Sequence, residues 1–312
     1  MGDVRIIINA ASGNGASRGG LDERARAAFP GAEVVVASPD EMDGAMERAF
    51  AARPRAVIVG GGDGTVRSAA GHVLRAADET TAPPALGLVP LGTMNLLAKD
   101  LHLPMDPAKA LEVLARSVEL GRVERIDAGE VSGRVFLHSS LLGILPRLGL
   151  HREKIRASRR WRDLPRRLAA ASRVAFTAKR LEVRLAEDGG GGEPARTWAL
   201  AVANNTLRGG LPNPLTRDSL VGGELGVYRS THETRLGLVR LLAAVGSGVW
   251  SLDRDIVARS VRSLRVESPR RELLVSNDGE IERIGTPLEY RVRARSVPVL
   301  VPPGRADEER GA

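Results

Sequence analysis

Residues 56–66 read AVIVGGGDGTV, and this stretch decides the fold. An apolar strand, Ala56–Gly60, runs into a glycine-rich loop, and apolar side chains at helical spacing follow the loop. Glycines let backbone N–H groups approach phosphate oxygens closely, and a helix N-terminus adds a favourable dipole. The alternative interpretation is a tight turn with an aspartate that caps the helix. The predicted phosphate-binding loop consists of Gly61, Gly62, Asp63, Gly64 and Thr65.

This loop differs from two common nucleotide-binding motifs. No Lys-Ser or Lys-Thr pair follows it, as a Walker A loop requires, and its spacing is not that of GxGxxG. A carboxylate beside phosphates implies either a divalent cation or a proton to be taken from an attacking hydroxyl. We therefore expect Asp63 to take part in catalysis.

Two more loops follow predicted strands of the same half of the chain. Val4–Asn9 ends in the small-residue segment 9–13, and Ala85–Val89 is followed by the segment 90–95. With Ala32–Ala37, these strands alternate with helical patterns, which predicts a doubly wound, mainly parallel sheet. Because ligands bind at the carboxyl ends of such strands, the three loops are predicted to form one phosphate-binding rim.

Two helix starts are marked by capping signals. Residues 38–41, Ser-Pro-Asp-Glu, are typical of a capping box with Pro39 at the first helical position. Asp106 before Pro107 predicts the start of another helix in the same way.

The pattern changes near residue 125 from alternating strands and helices to a β-rich, antiparallel half. Arg125–Val131 and Arg134–Leu142 flank Ser132-Gly133, which is a hairpin signal. One apolar helix, near Thr234–Trp250, interrupts the later strands. We therefore predict an α/β nucleotide-binding domain over residues 1–125, a β-rich domain over 126–304 and a disordered tail over 305–312.

Composition excludes several classes of protein. The 312 residues include no cysteine, which excludes disulfide scaffolds, thiolate metal sites and a cysteine nucleophile. Aromatic residues make up 3%, too few for stacking single-stranded nucleic acid, so no nucleic-acid partner is expected. No run of 18 apolar residues could span a membrane, and the N-terminus has no signal-peptide pattern. The expected compartment is the cytoplasm.

The positive charge is concentrated in one segment. Residues 151–180 hold eleven Lys and Arg against two Asp and Glu, which gives this segment a net charge of +9. Since the whole chain has a net charge of +8, the remaining residues together carry −1. Such a segment is either a solvated helix face or a contact for an anionic surface such as a membrane. Trp161 with Leu164 and Leu168 could lie in a membrane interface or pack against the β-rich domain. The predicted membrane contacts are Arg159, Arg160, Trp161, Arg166 and Arg167.

The histidines show no spacing typical of metal ligands. We therefore expect surface or packing roles for them. They are His72, His102, His138, His151 and His232.

The chain resembles the diacylglycerol kinase catalytic-domain family, which includes sphingosine kinases and bacterial YegS-like lipid kinases. The resemblance is carried by the loop from Asn9 to Gly13, the segments 61–65 and 88–95, and the late run Asn277-Asp278-Gly279-Glu280. It extends to about residue 302. The resemblance implies an NAD kinase- and phosphofructokinase-like nucleotide domain followed by a β-sandwich that takes the lipid substrate.

The resemblance also implies the roles of individual residues. Asp278 and Glu280 match the motif that supplies the catalytic base, with Glu280 the better candidate; a plain hairpin turn at Asp278-Gly279 is the alternative. ATP would be the co-substrate, with Mg²⁺ carried on it near Asp63. Nucleotide-binding positions outside the loop 61–65 are Asn9, Ser12, Gly13, Ser38, Gly92, Thr93 and Asn95.

Two departures from the family pattern concern acidic residues. Family members often have an aspartate directly after the position of Asn95, where this chain has Leu96. The aspartates that relatives link to a structural Mg²⁺ are missing from residues 219–225, and neither Asp218 nor Glu224 is assigned as a ligand. That second metal site is not expected here.

The implied function is transfer of the γ-phosphate of ATP to a lipid hydroxyl at an anionic membrane surface, with diacylglycerol as the first choice of acceptor. Such an enzyme would take part in phospholipid metabolism as a peripheral membrane protein. Two alternatives stay open: an NAD kinase-like enzyme with a soluble substrate, and a catalytically silent regulator that binds nucleotide or lipid. The acceptor lipid and the oligomeric state, a homodimer included, are also open.

Overall fold

The computed structural model describes residues 3–13, 20–80, 82–147, 178–208, 216–217, 219–247, 250 and 253–304. The chain divides into two compact units. The first comprises Met1–Ala128 together with Arg295–Ala312, and the second comprises Gly129–Ala294. The predicted domain 126–304 is therefore not contiguous, because the end of the chain returns to the first unit. The predicted tail 305–312 lies outside the described residues.

The first unit contains a parallel sheet. Its strands lie in the order β2-β1-β3-β4, and the end of the long strand β18 joins β4 in parallel. The side chains of β3 and β4 are buried throughout, as in a sheet covered on both faces. The strands are β1 (Val4–Asn9), β2 (Glu33–Ala37), β3 (Ala56–Gly61), β4 (Ala85–Pro90) and β18 (Leu288–Leu300).

Helices separate these strands, which confirms the predicted α/β class. We number the helices α1 to α6 in chain order among the described residues. In the first unit they are α1 (Leu21–Ala28), α2 (Met42–Ala51), α3 (Asp63–Glu79), α4 (Leu96–Asp100) and α5 (Pro107–Leu120). The predicted start of α5 is confirmed, because the side chain of Asp106 accepts the N–H of Lys109.

The start of α2 differs from the prediction. The backbone N–H and the hydroxyl of Ser38 both donate to Glu41 Oε2, at 3.0 and 2.7 Å. The first bond is that of the predicted capping box, but the hydroxyl does not accept the N–H of Glu41, as the second bond of the box requires. The N–H of Glu41 donates to the carbonyl of Ser38 at 3.0 Å, which closes a turn over residues 38–41, and the helix itself begins at Met42. The contacts between Ser38 and Glu41 therefore lie just before the helix and not in its first turn.

The second unit is β-rich, as predicted, and most of its strands are antiparallel. Six of them form a sheet in the order β14-β13-β10-β7-β16-β17, while β9, β8, β15 and the first part of β18 lie side by side in another. The helix α6 (Arg235–Ser247) connects β13 to β14. The remaining strands are β5 (Val123–Val131), β6 (Arg134–Phe136), β7 (Ser139–Gly143), β8 (Leu181–Glu187), β9 (Glu193–Thr197), β10 (Ala199–Asn204), β11 (Leu207–Arg208), β12 (Thr216–Arg217), β13 (Leu225–Ser230), β14 (Ile256–Val261), β15 (Ser263–Glu267), β16 (Glu272–Asn277) and β17 (Glu280–Gly285).

A single apolar cluster joins the two sheets of this unit. Strands of both sheets contribute to it, including Leu200 and Val275 on one side and Leu264 and Leu288 on the other. Tyr290 is fully buried in it, and its hydroxyl lies 3.0 Å from Ser140 Oγ. Burial raises the pKa of Tyr290 far above its ordinary value of 10.0, because the charged form would lose its hydration. The second unit is thus a β-sandwich, as the family resemblance implied.

Aspartates separate two pairs of consecutive strands. The predicted strand Arg134–Leu142 stops at Phe136 and resumes at Ser139, because Asp278 accepts the intervening N–H groups. Similarly, β14 ends at Val261 and β15 begins at Ser263, where Asp188 Oδ1 accepts the N–H groups of Arg262 and Ser263, each at 2.8 Å. A carboxylate that binds backbone donors competes with sheet pairing, and sequence periodicity does not reveal such competition.

No helix in the described part of the chain is long and apolar enough to cross a bilayer. The predicted membrane-contact residues Arg159, Arg160, Trp161, Arg166 and Arg167 lie outside the described residues.

Candidate functional site

The three predicted phosphate loops of the first unit follow neighbouring strands. β3 lies between β1 and β4, and Gly60 pairs with both Ile8 and Val89. The loops after these strands therefore leave the same edge of the sheet side by side. We call these loops the rim: residues 9–13, 61–65 and 91–95.

Asp63 joins two loops of the rim. Its carboxylate accepts the backbone N–H of Asn95 at 3.0 Å on Oδ2 and that of Leu96 at 2.7 Å on Oδ1. These donors belong to the start of α4, so Asp63 caps a helix other than its own. A carboxylate has about four acceptor positions, so each oxygen keeps capacity for another partner. Asp63 therefore caps a helix, as the alternative interpretation predicted, but the helix is α4 and not α3.

The same two loops touch through glycines. A methyl group at Gly92 would lie 2.5 Å from the Cα of Gly62, and one at Gly62 would lie 3.3 Å from the Cα of Gly92. No side chain fits at Gly92 without moving backbone. These glycines therefore let the loops pack against each other, in addition to any approach to phosphate.

Asn95 and Thr93 have different environments. The Asn95 side chain binds the backbone of Gly92 twice, since Oδ1 accepts its N–H and Nδ2 donates to its carbonyl, both at 2.9 Å. With its backbone at φ 47°, Asn95 closes the turn that leads into α4. Thr93 is exposed at the tip of this turn. In this structure Asn95 shapes the loop, while the hydroxyl of Thr93 is accessible to a ligand.

The first loop is tied to the second by Asn9. Its Nδ2 lies 3.2 Å from Thr65 Oγ1, and its Oδ1 accepts the N–H of Ala11 at 2.8 Å. The N–H of Ser12 donates to the carbonyl of Asn9, which closes a tight turn that ends in Gly13 at φ 84°. Asn9 therefore connects the loops as Asp63 does. The hydroxyl of Ser38, after β2, donates to Glu41 and so lowers the pKa of that carboxyl group.

The N-terminus of α3 is suited to bind an anion. Its N-cap is Gly62, which offers no side chain to cap the first turn. The first N–H groups of a helix have no partner within the helix, and the 17 residues of α3 add a dipole that favours negative charge there. Among the described rim residues, this is the position where phosphate oxygens are best accommodated.

In the second unit, Asp278 occupies a hairpin turn. Asp278 and Gly279, at φ 50° and 94°, join β16 to β17, with Asn277 paired to Glu280. The Asp278 carboxylate accepts the N–H groups of Leu137, His138 and Ser139, at 2.6, 2.9 and 2.9 Å. Three backbone donors on one carboxylate leave little capacity for substrate. The hairpin alternative is therefore correct for the backbone, and Asp278 acts on the segment 137–139.

Glu280 is placed differently from Asp278. It is the first residue of β17, directly after the turn, and its side chain is exposed. Of the two predicted carboxylates, Glu280 is the one that a substrate could reach. The rim and the pair Asp278–Glu280 belong to different units.

Two buried polar residues that the sequence analysis missed complete the surroundings of Asp278. The Asn204 side chain donates to the carbonyl of Leu137 at 3.0 Å, and the guanidinium of Arg217 donates to the same oxygen. Both side chains are at least nine-tenths buried. The segment 137–139 is thus held at its N–H groups by Asp278 and at a carbonyl by Asn204 and Arg217. The sequence did contain one signal for Asn204, because it lies at the end of a strand shortly before Gly209-Gly210.

In residues 219–225, where relatives have the aspartates linked to a structural Mg²⁺, the carboxylate that the structure describes is Glu224. Its Oε1 accepts from the hydroxyl of Thr206 at 3.2 Å, and its Oε2 accepts from that of Ser260. These contacts tie Glu224 to neighbouring strands.

Comparisons with known proteins found a family model and relatives that match this chain. Residues 3–131 match the family model described as diacylglycerol kinase catalytic domain. The chain is 29% identical over 268 residues to a Pseudomonas aeruginosa PAO1 protein named "Probable lipid kinase YegS-like", covering 83% of this chain and 80% of that protein. It is 34% identical over 89 residues to a Staphylococcus saprophyticus diacylglycerol kinase, 28% of this chain and 27% of that protein.

Two solved structures share the fold. A diacylglycerol kinase from Bacillus anthracis str. Sterne gives a TM-score of 0.68 at 19% identity, covering 97% of both chains. An NAD kinase from Archaeoglobus fulgidus in complex with ATP gives 0.54 at 15% identity, covering 99% of this chain and 97% of that one. Residues 3–131 therefore match the diacylglycerol kinase catalytic-domain family, and most of the chain is similar to proteins named as probable lipid kinases.

Proposed function

We propose that the protein is an ATP-dependent lipid kinase that transfers the γ-phosphate of ATP to a lipid hydroxyl, with diacylglycerol as the preferred acceptor. The observation that carries the proposal is the rim, in which Asp63 and Gly92 hold the loop 61–65 against the start of α4. The uncapped N-terminus of α3 then faces the ATP phosphates. Relatives named as lipid or diacylglycerol kinases support the choice of acceptor class.

Glu280 is the proposed general base. An exposed carboxylate at the start of a strand can accept the proton of an acceptor hydroxyl as that oxygen attacks the γ-phosphate. Asp278 serves as a positioning residue, because its three backbone contacts fix the turn from which Glu280 projects. The exposed hydroxyl of Thr93 and the N–H groups of Gly64 and Thr65 are the proposed phosphate ligands.

Mg²⁺ is proposed to arrive with ATP. Asp63 could bind this Mg²⁺ as its one protein ligand, because each carboxylate oxygen accepts one N–H and can still accept another partner. Mg²⁺ usually keeps several waters and takes few carboxylates, so one aspartate beside the phosphates is enough. When bound, the ion would neutralise charge on the phosphates.

A kinase assay with radiolabelled ATP and Mg²⁺ tests the proposal. Diacylglycerol in mixed micelles, sphingosine in mixed micelles, and NAD in solution are offered in parallel. The proposal is supported if the parent protein phosphorylates diacylglycerol and the Glu280→Gln variant does not. Phosphorylation of NAD alone would favour the NAD kinase-like alternative, and ATP binding without transfer to any of the three acceptors would favour a silent regulator.

We also propose that the protein works at an anionic membrane surface. The basic segment 151–180 supports this through its charge. A second support is the outer face of α6, where Leu236 and Val239 are 73% and 55% exposed beside the exposed Arg235. Large apolar side chains next to a cation are typical of helices that rest in a lipid interface.

A further inference from the structure

Three potential metal ligands converge in the second unit, outside the predicted kinase site. His232 Nε2 lies 3.2 Å from Asp253 Oδ2 and 3.7 Å from Asp255 Oδ2. Antiparallel pairing brings them together, because Ser230, at the end of β13, is opposite Ile256, at the start of β14. Among the described residues this is the group of three His, Asp or Glu side chains that could share one ion.

The His232 ring is the unusual member of this group. It is 3% exposed, yet Nε2 has no hydrogen-bond partner among the described residues, although Asp253 Oδ2 is close. The distance from Nε2 to Asp253 Oδ2 is short enough for a hydrogen bond, so the angle at the nitrogen is what prevents one. A buried polar atom without a partner is costly and calls for an explanation. A cation between the nitrogen and the carboxylates would supply the missing interaction.

The other ring nitrogen has the contact that metal-bound histidines usually make. His232 Nδ1 lies 3.0 Å from Ser230 Oγ, which is itself buried. In the tautomer whose Nδ1–H donates to this oxygen, Nε2 presents its lone pair to the carboxylates. Metal-ligating histidines almost always donate their second N–H in this way, which fixes the orientation of the ring.

The two separations from Nε2 suit a small transition-metal ion. Ligands at about 2.0–2.1 Å from a tetrahedral Zn²⁺ are separated from one another by about 3.4 Å. The separations of 3.2 and 3.7 Å from Nε2 lie on either side of this value. One imidazole and two carboxylates favour Zn²⁺ or a similar borderline ion over Ca²⁺, which prefers oxygen ligands alone.

Arg240 is the competing cation. Its guanidinium nitrogen lies 3.4 Å from Asp253 Oδ1 and 3.6 Å from Asp255 Oδ2, and its side chain is 61% exposed. On Asp253 it uses the oxygen that does not face His232, but on Asp255 it lies near the same oxygen that faces His232. Because it projects from α6 into solvent, it can withdraw when an ion binds.

We propose that His232, Asp253 and Asp255 form a binding site for one Zn²⁺-like divalent cation. Bound there, the ion would join the two ends of the connection that carries α6. The N–H of Thr231 already donates to the carbonyl of Asp255 at 2.8 Å at the same place. The site would thereby fasten the base of the helix whose outer face exposes Leu236 and Val239.

Calorimetric titration of the metal-free full-length protein with Zn²⁺ tests the site. We expect one tight site per chain, and Ca²⁺ should not compete at equal concentration. Asp255→Asn, at a half-exposed position that should tolerate the change, should weaken this site at least about tenfold, and His232→Asn should do the same. His102→Asn, at an exposed histidine elsewhere, is the matched control and should leave it unchanged.

Arg240→Gln separates a metal site from a simple ion-pair cluster. If Zn²⁺ binds there, removing the competing guanidinium should raise its affinity about threefold or more, since a nearby positive charge is lost. Equal Zn²⁺ binding by the parent, Asp255→Asn and Arg240→Gln proteins would overturn the proposal, as would the absence of a tight site in the parent. Both results would identify the cluster as an ion-pair network.

Discussion

The carboxylate of Asp63 accepts the backbone N–H of Leu96 at 2.7 Å, across two loops that follow different strands. With the second bond from Asn95, this contact makes Asp63 the cap of α4. The residue expected to act in catalysis is therefore also one that builds the loop presenting Thr93. A variant at this position should affect structure and activity together.

We expect Asp63→Ala to lower the free energy of unfolding by about 1 kcal/mol, the usual loss for a helix cap. Kinase activity should fall at least about a hundredfold, because both the rim and a charged group beside the phosphates are lost. Urea unfolding and initial rates at saturating ATP provide the two measurements. The exposed control Asp40→Ala should leave both unchanged, and near-normal turnover in Asp63→Ala would remove Asp63 from the mechanism.

Asp278→Ala should be more destabilising than Asp63→Ala. It leaves three backbone N–H groups without their acceptor and replaces a residue at φ 50°, so we expect a loss of about 3 kcal/mol. Asp278→Asn keeps one acceptor oxygen and tolerates the left-handed backbone, so it should recover part of the stability. Thermal unfolding of the two variants tests this order. Equal melting temperatures for Asp278→Ala and the parent would contradict the structural role.

Glu280→Gln should show the opposite behaviour. Because the side chain is exposed, stability should change by less than about 0.5 kcal/mol. If Glu280 accepts the proton of the lipid hydroxyl, kcat and kcat/KM should fall together while ATP affinity stays the same. Steady-state kinetics and ATP titration measure these quantities, with Glu282→Gln as the neighbouring control. A variant that weakened ATP binding alone would assign Glu280 to the nucleotide.

The sequence predicted where the loops lie better than what their side chains do. The pattern AVIVGGGDGTV predicted a glycine-rich connection between a strand and a helix, and the structure has a shorter one, because β3 extends to Gly61 and α3 begins at Asp63. Sequence alone could not show that Asp63 caps α4, because capping motifs are local and this contact joins separate loops. The packing of Gly62 against Gly92 was hidden for the same reason.

The same limit applies to the β-sandwich. The turn at Asp278-Gly279 has a local signature, but the hold of Asp278 on the segment 137–139 depends on the pairing of β16 with β7. His232 and Asp253 likewise meet only because β13 pairs with β14. Histidines without ligand spacing along the chain were therefore interpreted as surface or packing residues.

His72 should make the stability of the first unit depend on pH. Burial and, to a smaller extent, Arg75 lower its pKa below the ordinary value of 6.5. The unfolded chain therefore binds the proton more readily, so this contribution is present above pH 6.5 and is lost as the pH falls below it. Thermal unfolding between pH 7.5 and 5.5 should show a smaller decrease for His72→Gln than for the parent. Parallel decreases in the two proteins would contradict this role.

Membrane binding is the prediction that rests most on charge. Each basic residue near an anionic leaflet contributes about 1 kcal/mol, so four of those in the segment 152–167 would contribute roughly 4 kcal/mol, close to a thousandfold in partitioning. We expect reversible binding to anionic vesicles, little binding to neutral ones, and a sharp loss at high salt. Sedimentation with vesicles at two salt concentrations measures this.

Two variants separate the contributions of charge and apolar contact. Replacing four arginines of the basic segment by glutamine should reduce vesicle binding and lipid phosphorylation but not ATP affinity; the four are Arg159, Arg160, Arg166 and Arg167. Leu236→Gln with Val239→Gln should reduce binding at both salt concentrations, because apolar insertion is not screened. The control replaces exposed arginines of the first unit, namely Arg24, Arg26, Arg48 and Arg116. If the control variant and the basic-segment variant lost vesicle binding equally, net charge alone would explain the attraction, and the segment would be an ordinary solvated surface.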